Sequence, residues 1–220
     1  MLIAGIDEAG RGCIIGPLVI AGVLIKEENL PLLRQLGVKD SKLLSPKKRQ
    51  TLATKITQIT EKYHIIKLSP KEIDQAVESK RKLHKLNRLE AQTMTQIINT
   101  LKPDKAYVDA ADVIEDRFKY HIQEGLTTKT IITSKHKADK IYPIVSAASI
   151  IAKVERDKEI ATLKDKYGDF GSGYLTDQKT IHFLKQWLQT HAEYADCVRK
   201  SWKPAKQAKN EKGTVQKKLA

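Results

Sequence analysis

Leu2-Ile3-Ala4-Gly5-Ile6-Asp7-Glu8-Ala9-Gly10-Arg11-Gly12 sets an apolar run directly against two adjacent carboxylates and an arginine flanked by glycines. The run from Leu2 to Ile6 reads as a buried strand, so Asp7 and Glu8 fall at its end. Two carboxylates in such a place repel one another and lose hydration, and a hard divalent cation is the natural way to keep them ionised. Gly10 and Gly12 then let a ligand approach the backbone closely, while Arg11 offers a guanidinium suited to a sugar-phosphate chain. A metal site and a nucleic-acid contact are implied side by side.

With 220 residues the chain is long enough to bury one substantial core. Its formal charge of +14, with 30% of residues charged and a pI near 9.6, favours a polyanionic partner, nucleic acid ahead of a membrane surface. No apolar run reaches the roughly 18 residues of a membrane span. The N-terminus enters a strand pattern without a charged lead and apolar plug, so a soluble, unprocessed protein is expected. Cys13 and Cys197 lie far apart with no second cysteine nearby, which argues against a zinc pair or disulfide framework and fits a reducing cytoplasm.

Leu18 to Ile25, entered through Gly16-Pro17, reads as a second strand paired with the first. Leu30 to Leu36 is a short helix. Ser45-Pro46 then supplies an N-cap and a first-turn proline for a longer one reaching about Tyr63. His64 to Leu68 is a third strand, ended by Ser69-Pro70, another helix start. From about Leu83 to Leu101, Leu86, Leu89, Met94, Ile97 and Ile98 recur near the helical period. A fourth strand, Lys105 to Val108, ends at Asp109. A helix follows Asp112, which reads as its cap, and runs to about Gly125. Thr130 to Thr133 is a fifth strand, Tyr142 to Tyr167 the most helical span, and Asp177 to about Thr190 a last amphipathic helix beyond a break at Gly168 to Gly173. This order describes a mixed α/β sheet covered by helices.

The organisation expected is one domain over 1–202, including a helical C-terminal part, and a lysine-rich tail over 203–220 that reads as mobile or as a frayed helix. The tail carries +5 of the net charge, so residues 1–202 keep +9 and are basic in their own right.

Asp7 and Glu8 end strand one, Asp109 ends strand four, and Asp139 follows strand five. With strands one and four parallel neighbours, the acids meet at the carboxyl edge of the sheet, where open α/β sheets place their ligands. Four acids around one cleft in a basic protein suit two Mg²⁺ or Mn²⁺ ions flanking a scissile phosphate.

At these residues the chain resembles a known family. Gly5 to Gly12, Asp40-Ser41-Lys42, Asp109-Ala110-Ala111-Asp112, His136-Lys137-Ala138-Asp139, Ser146 to Ile150, Gly171-Ser172-Gly173-Tyr174 and Val198 to Trp202 are similar, in order and spacing, to type 2 ribonuclease H, ribonuclease HII, above all its archaeal branch. The resemblance runs from residue 2 to about 203. It implies a ribonuclease H-like fold with a five-stranded mixed sheet. It also implies an endonuclease that cuts RNA–DNA hybrids, or duplex DNA at embedded ribonucleotides, leaving a 3′-hydroxyl and a 5′-phosphate, with a place in DNA replication and ribonucleotide excision repair. Asp7, Glu8, Asp109 and Asp139 would be the catalytic, metal-binding acids. Gly10, Arg11 and Gly12 would read the 2′-hydroxyl, Tyr174 would stack on the next, deoxy, sugar, and Ser41 and Lys42 would hold phosphate. Cys13 stands where many relatives have proline, which leaves that loop's stiffness open. The tail lacks the paired aromatics by which some relatives bind a sliding clamp, so no clamp partner is expected, and nothing demands more than a monomer.

Blander readings accompany several of these residues. Asp139 also suits a helix cap or a pair with Lys135 or Lys137, Tyr174 suits core filling, and Lys42 a solvated face. His136 is open between moving a proton and a plain surface role. Trp187 and Trp202 read as packing anchors. Two rival functions remain at this level, a related ribonuclease H-like DNA nuclease or recombinase, and an inactive hybrid-binding module.

Overall fold

Strand β1 (Leu2–Ala9) lies at the centre of the sheet. Along its whole length it pairs antiparallel with β2 (Leu18–Lys26), Leu2 opposite Lys26 and Ala9 opposite Val19. The computed structural model describes residues 1–38, 44–80 and 83–209. After β2 come a 3₁₀ turn at Glu27–Asn29, α1 (Leu30–Gln35), α2 (Pro46–Ile59), β3 (Lys62–Leu68), α3 (Pro70–Glu78) and α4 (Lys85–Leu101). The chain continues as β4 (Lys105–Asp109), α5 (Glu115–Gln123), β5 (Ile131–Lys135), α6 (Ala138–Ile141), α7 (Pro143–Tyr167) and α8 (Gln178–Thr190). The sheet order is β3-β2-β1-β4-β5, with β1, β4 and β5 mutually parallel. This is the five-stranded mixed sheet expected from the sequence.

Local chemistry sets most of the boundaries. Ser45 caps α2 by accepting the Lys48 amide at 3.4 Å. Ser69 and Glu72 form a capping box at α3, with Pro70 in the first turn. Three boundaries differ from expectation. The helix expected to reach Tyr63 stops at Ile59, because the Glu61 amide bonds to the Leu24 carbonyl at 2.9 Å and draws the following residues into the sheet edge. The helix after Asp112 begins only at Glu115, and its N-cap is Ile114. Asp112 is therefore not a cap: its buried carboxylate accepts the Ile114 amide at 3.0 Å and pairs with Arg117 and Asn87. Finally, α6 is a short helix absent from the expectation, entered through Lys137 at a left-handed φ of 56°.

The described residues group into two compact units, drawn respectively from Met1–Ala9, Val19–Lys67 and Lys82–Glu155, and from Gly10–Leu18, Leu68–Arg81 and Arg156–Ala220. In the first, Ile3, Val23 and Ile25 of the sheet pack with Leu52 and Ile56 of α2 and with Ile144, Val145 and Ile151 at the start of α7. On the opposite face, Ile97 and Leu101 of α4 lie over Gly22. Gly5 decides how close α7 comes. A Cβ there would stand 2.3 Å from the Ile144 carbonyl carbon, so only glycine lets that helix start against β1.

The second unit buries Ile14, Ile15, Ile160, Phe170, Leu184 and Val198, and Trp187 and Trp202 pack against this cluster as anchors. Residues 203–209 are helical, with Ala205 buried in the same cluster. Among the described residues no helix is long and apolar enough to cross a membrane.

Candidate active site

The parallel pairing of β1 and β4 aligns Ile6 with Val108, so the next residues of each strand, Asp7 and Asp109, come side by side at the carboxyl edge of the sheet. Asp7 is 4% exposed. Its carboxyl is pushed well above the ordinary carboxylate range by burial first, then by the charges of Glu8 and Asp109. A hydroxyl donated by Ser149 and the Glu8 amide, 2.8 Å from Oδ1, partly oppose that rise. Ser149 reaches Asp7 because α7 runs along β1 from the contact at Gly5. Two strand residues cover about 6.6 Å, and the helix covers a similar length, about 6 to 7.5 Å, between Ile144–Val145 and Ser149.

Asp109 Oδ1 accepts the amide of Ala138 at 2.8 Å, which ties the end of β4 to the start of α6. The next residue, Asp139, is buried. Asp7, Glu8, Asp109 and Asp139 thus all belong to the first unit, at or just beyond the carboxyl ends of β1, β4 and β5. Asp139 caps neither α6 nor α7, since it lies within the first turn of α6.

These hard oxygen donors match the ligand chemistry of Mg²⁺ or Mn²⁺, and a cation would offset the burial and the repulsion that raise the Asp7 carboxyl. The acids are gathered but not closed. Among the described residues no three His, Cys, Asp or Glu side chains enclose an ion position.

The second unit holds the other expected residues. Gly10 has φ +89°, and a Cβ there would stand 2.7 Å from both the Pro17 carbonyl oxygen and Arg156 Nε. Gly12 is exposed, with open space where a Cβ would go. The loop is organised by Arg199, a fully buried guanidinium from the far end of the chain. It donates to the carbonyls of Gly10 at 2.6 Å, Arg11 at 2.8 Å and Gly16 at 3.1 and 3.2 Å, and to Cys13 Sγ at 3.0 Å. Burying this charge is tolerable because carbonyl dipoles replace its water.

Cys13 in turn donates to the Gly10 carbonyl at 3.0 Å, so the loop without a proline is still held at that position. Tyr174 joins the same platform through Gly173, whose carbonyl accepts the amides of Ile14 at 2.8 Å and Ile15 at 3.1 Å. The Tyr174 ring lies 4.7 Å from the Arg156 guanidinium, and burial pushes its hydroxyl upward against the opposing pull of that arginine.

Sequence reasoning missed Ser149, Arg156 and Arg199 as members of these sites. Ser149 and Arg199 stand inside motifs already singled out, yet in a basic chain a lone arginine carries no local signal of burial. Ser41 and Lys42 lie outside the described residues.

A mixed sheet in this order, with carboxylates at the carboxyl ends of β1 and β4, defines the ribonuclease H-like class of α/β nucleases. The family model described as Ribonuclease HII matches residues 4–205. The chain belongs to the ribonuclease HII family, and it is an endonuclease of the ribonuclease H type. Ribonuclease HII of Pyrococcus furiosus is 48% identical over 204 residues, covering 92% of this chain and 88% of the relative. The crystal structure of ribonuclease H2 from Pyrococcus horikoshii superposes with a TM-score of 0.88 at 45% identity, covering 96% of this chain and 98% of that one. Archaeoglobus fulgidus RNase HII, solved in complex with PCNA, gives 0.83 at 45% identity, with 92% and 96% covered.

Proposed function

We propose that this chain hydrolyses the RNA strand of RNA–DNA hybrids and cuts duplex DNA at embedded ribonucleotides, leaving a 3′-hydroxyl and a 5′-phosphate, with Mg²⁺ or Mn²⁺ as cofactor. The observation that carries the reading is the gathering of Asp7, Glu8, Asp109 and Asp139 in one unit, with the Asp7 carboxyl driven up by burial and then by the charges of Glu8 and Asp109. Asp7, Glu8, Asp109 and Asp139 would hold two ions, which when bound supply an activated water and neutralise the leaving oxygen. Ser149 and the Glu8 amide orient Asp7, and the Ala138 amide orients Asp109.

Recognition falls to the second unit. Gly10, Arg11 and Gly12 present backbone groups to the 2′-hydroxyl, and Arg199 fixes the loop by holding the Gly10 and Arg11 carbonyls. Tyr174 stacks on the deoxyribose beyond the junction. Ser41 and Lys42 hold phosphate, and residues 203–220 form a basic tail to the catalytic body. The enzyme acts as a monomer in the cytoplasm, where replication leaves such substrates and excision repair removes them.

Product mapping tests the reading. A DNA duplex carrying one ribonucleotide is incubated with Mg²⁺, with Mn²⁺ and with chelator, beside an all-DNA duplex. Cleavage at the ribonucleotide only with metal, with the stated ends, is expected. Equal cutting of the all-DNA duplex, or cutting in chelator, overturns it.

A further inference from the structure

The turn that carries Asp139 is pinned from outside the acidic group. Glu115, at the start of α5, accepts the His136 amide on Oε1 at 2.7 Å and the Lys135 ammonium on Oε2 at 2.8 Å. Two residues further on, the Ala138 amide is taken by Asp109. Between these bonds sits Lys137 in the left-handed region at φ 56°, a conformation that costs a non-glycine residue about 1 kcal/mol or more and persists only where its surroundings over-determine it.

A second tie runs to the loop after β4. His136 Nε2 bonds the Asp112 carbonyl at 2.8 Å, and the Asp112 side chain is anchored to Asn87 of α4 and Arg117 of α5. A carbonyl only accepts, so His136 Nε2 carries a hydrogen and is committed to a backbone bond.

We propose that Glu115 and His136 are positioning residues, which clasp the β4–α5 loop to the β5–α6 turn and so fix Asp109 and Asp139 relative to one another. The proposal rests on the metal-dependent reading above and assigns His136 a structural tie in place of proton transfer. Outer partners of metal ligands alter affinity or activity by about ten- to a hundredfold when removed.

The test compares Glu115→Ala, Glu115→Gln, His136→Ala and His136→Gln in the full chain. Three quantities are measured: kcat and KM on the ribonucleotide duplex across pH, Mn²⁺ affinity by calorimetry without substrate, and the melting temperature without metal. Both alanine variants should lose about ten- to a hundredfold in kcat and in Mn²⁺ affinity, with KM within about twofold, the pattern of an interaction separate from substrate binding.

His136→Gln should recover most of the loss, since its amide can donate to the Asp112 carbonyl, and Glu115→Gln a substantial part, since its oxygen can still accept the His136 amide while the bond from Lys135 is lost. Failure of Glu115→Gln to recover would mean that charge alone matters and overturns the proposal. So would unchanged kcat and Mn²⁺ affinity in the alanine variants, or loss of one limb of the pH profile in His136→Ala. If an alanine variant does not fold, the glutamine variant and its Mn²⁺ affinity decide. A wild-type chain that binds Mn²⁺ but leaves the duplex intact would overturn the functional reading and leave the Mn²⁺ comparison to judge this one.

Discussion

Asp7 shows how one residue can be unfavourable for the fold while suiting the proposed metal site. A buried carboxyl whose folded pKa is raised binds its proton more tightly in the native state, so stability falls as pH rises through the folded value. Once ionised, Asp7 therefore destabilises the metal-free protein. Asp7→Asn removes that charge with almost the same shape, and the metal-free variant should melt several degrees above the wild type at pH 8, with the gap closing as pH is lowered. Adding Mn²⁺ should raise the wild type and leave the variant unchanged, and cleavage should fall by at least about a thousandfold, the scale on which electrostatic stabilisation of a transition state is lost. A variant that melts lower than wild type at pH 8 would show that burial and repulsion of the Asp7 charge do not destabilise the metal-free fold.

The glycines of the loop separate in the same way. Gly10→Ala meets a carbonyl oxygen at 2.7 Å in a backbone conformation with φ +89°, and should cost about 1–3 kcal/mol in denaturant unfolding. Gly12→Ala meets open space, so its stability should stay within about 0.5 kcal/mol. A fall in kcat/KM of tenfold or more with Gly12→Ala then reports substrate backbone at that position, and full activity would remove Gly12 from the recognition loop.

Among elements, the packing of α7 on β1 links fold to chemistry. Gly5 admits the helix start, and the same helix delivers Ser149 to Asp7 two strand residues later. Gly5→Ala would drive a methyl group to 2.3 Å from the Ile144 backbone, which cannot move without carrying Ser149 with it. We expect a loss of about 3 kcal/mol or more from overpacking, together with a kcat loss larger than that of Ser149→Ala. A Gly5→Ala protein with wild-type melting temperature and activity would refute the contact. Elements whose signals are local were legible in the sequence. The Ser-Pro helix starts at Ser45 and Ser69 and the apolar strands β1 and β2 stand where their residues place them. The elements misread depend on partners distant in the chain. Residues after Ile59 leave the helix because Leu24 offers a ladder carbonyl, and Asp112 gives up capping because Asn87 and Arg117 claim its carboxylate. Nothing in the local sequence announces those partners.

At the scale of the whole molecule the acids of the site were legible, because strand-end carboxylates in a parallel pair have a fixed place, while the supports of the glycine loop were not. Arg199 lies 189 residues from Gly10, and Asp74, which binds the Lys200 and Ser201 amides, is 126 and 127 residues from them. Contacts at that separation leave no periodicity to read, and they explain why segments at Gly10–Leu18 and Leu68–Arg81 group with Arg156–Ala220 in one unit. Charge, by contrast, needs no contact map. Many acids outside the site are spent in pairs, as Asp169 is with Lys164 and Lys179, Glu78 with Lys206 and Glu193 with Lys209, while the sequence as a whole keeps an excess of +14. A polyanionic duplex bound by that excess must release counterions, at about 0.9 per phosphate neutralised. The KM for a ribonucleotide-containing duplex, followed from about 50 to 200 mM salt, should therefore rise along a straight line in log–log form with a slope of about 3 or more, which is three phosphates or more. Over the same range kcat should change by less than about threefold, since the acids act after binding and at shorter range than the Debye length of about 10 Å. A KM indifferent to salt would mean that neutral contacts supply the binding energy, and that the basic surface has some other use.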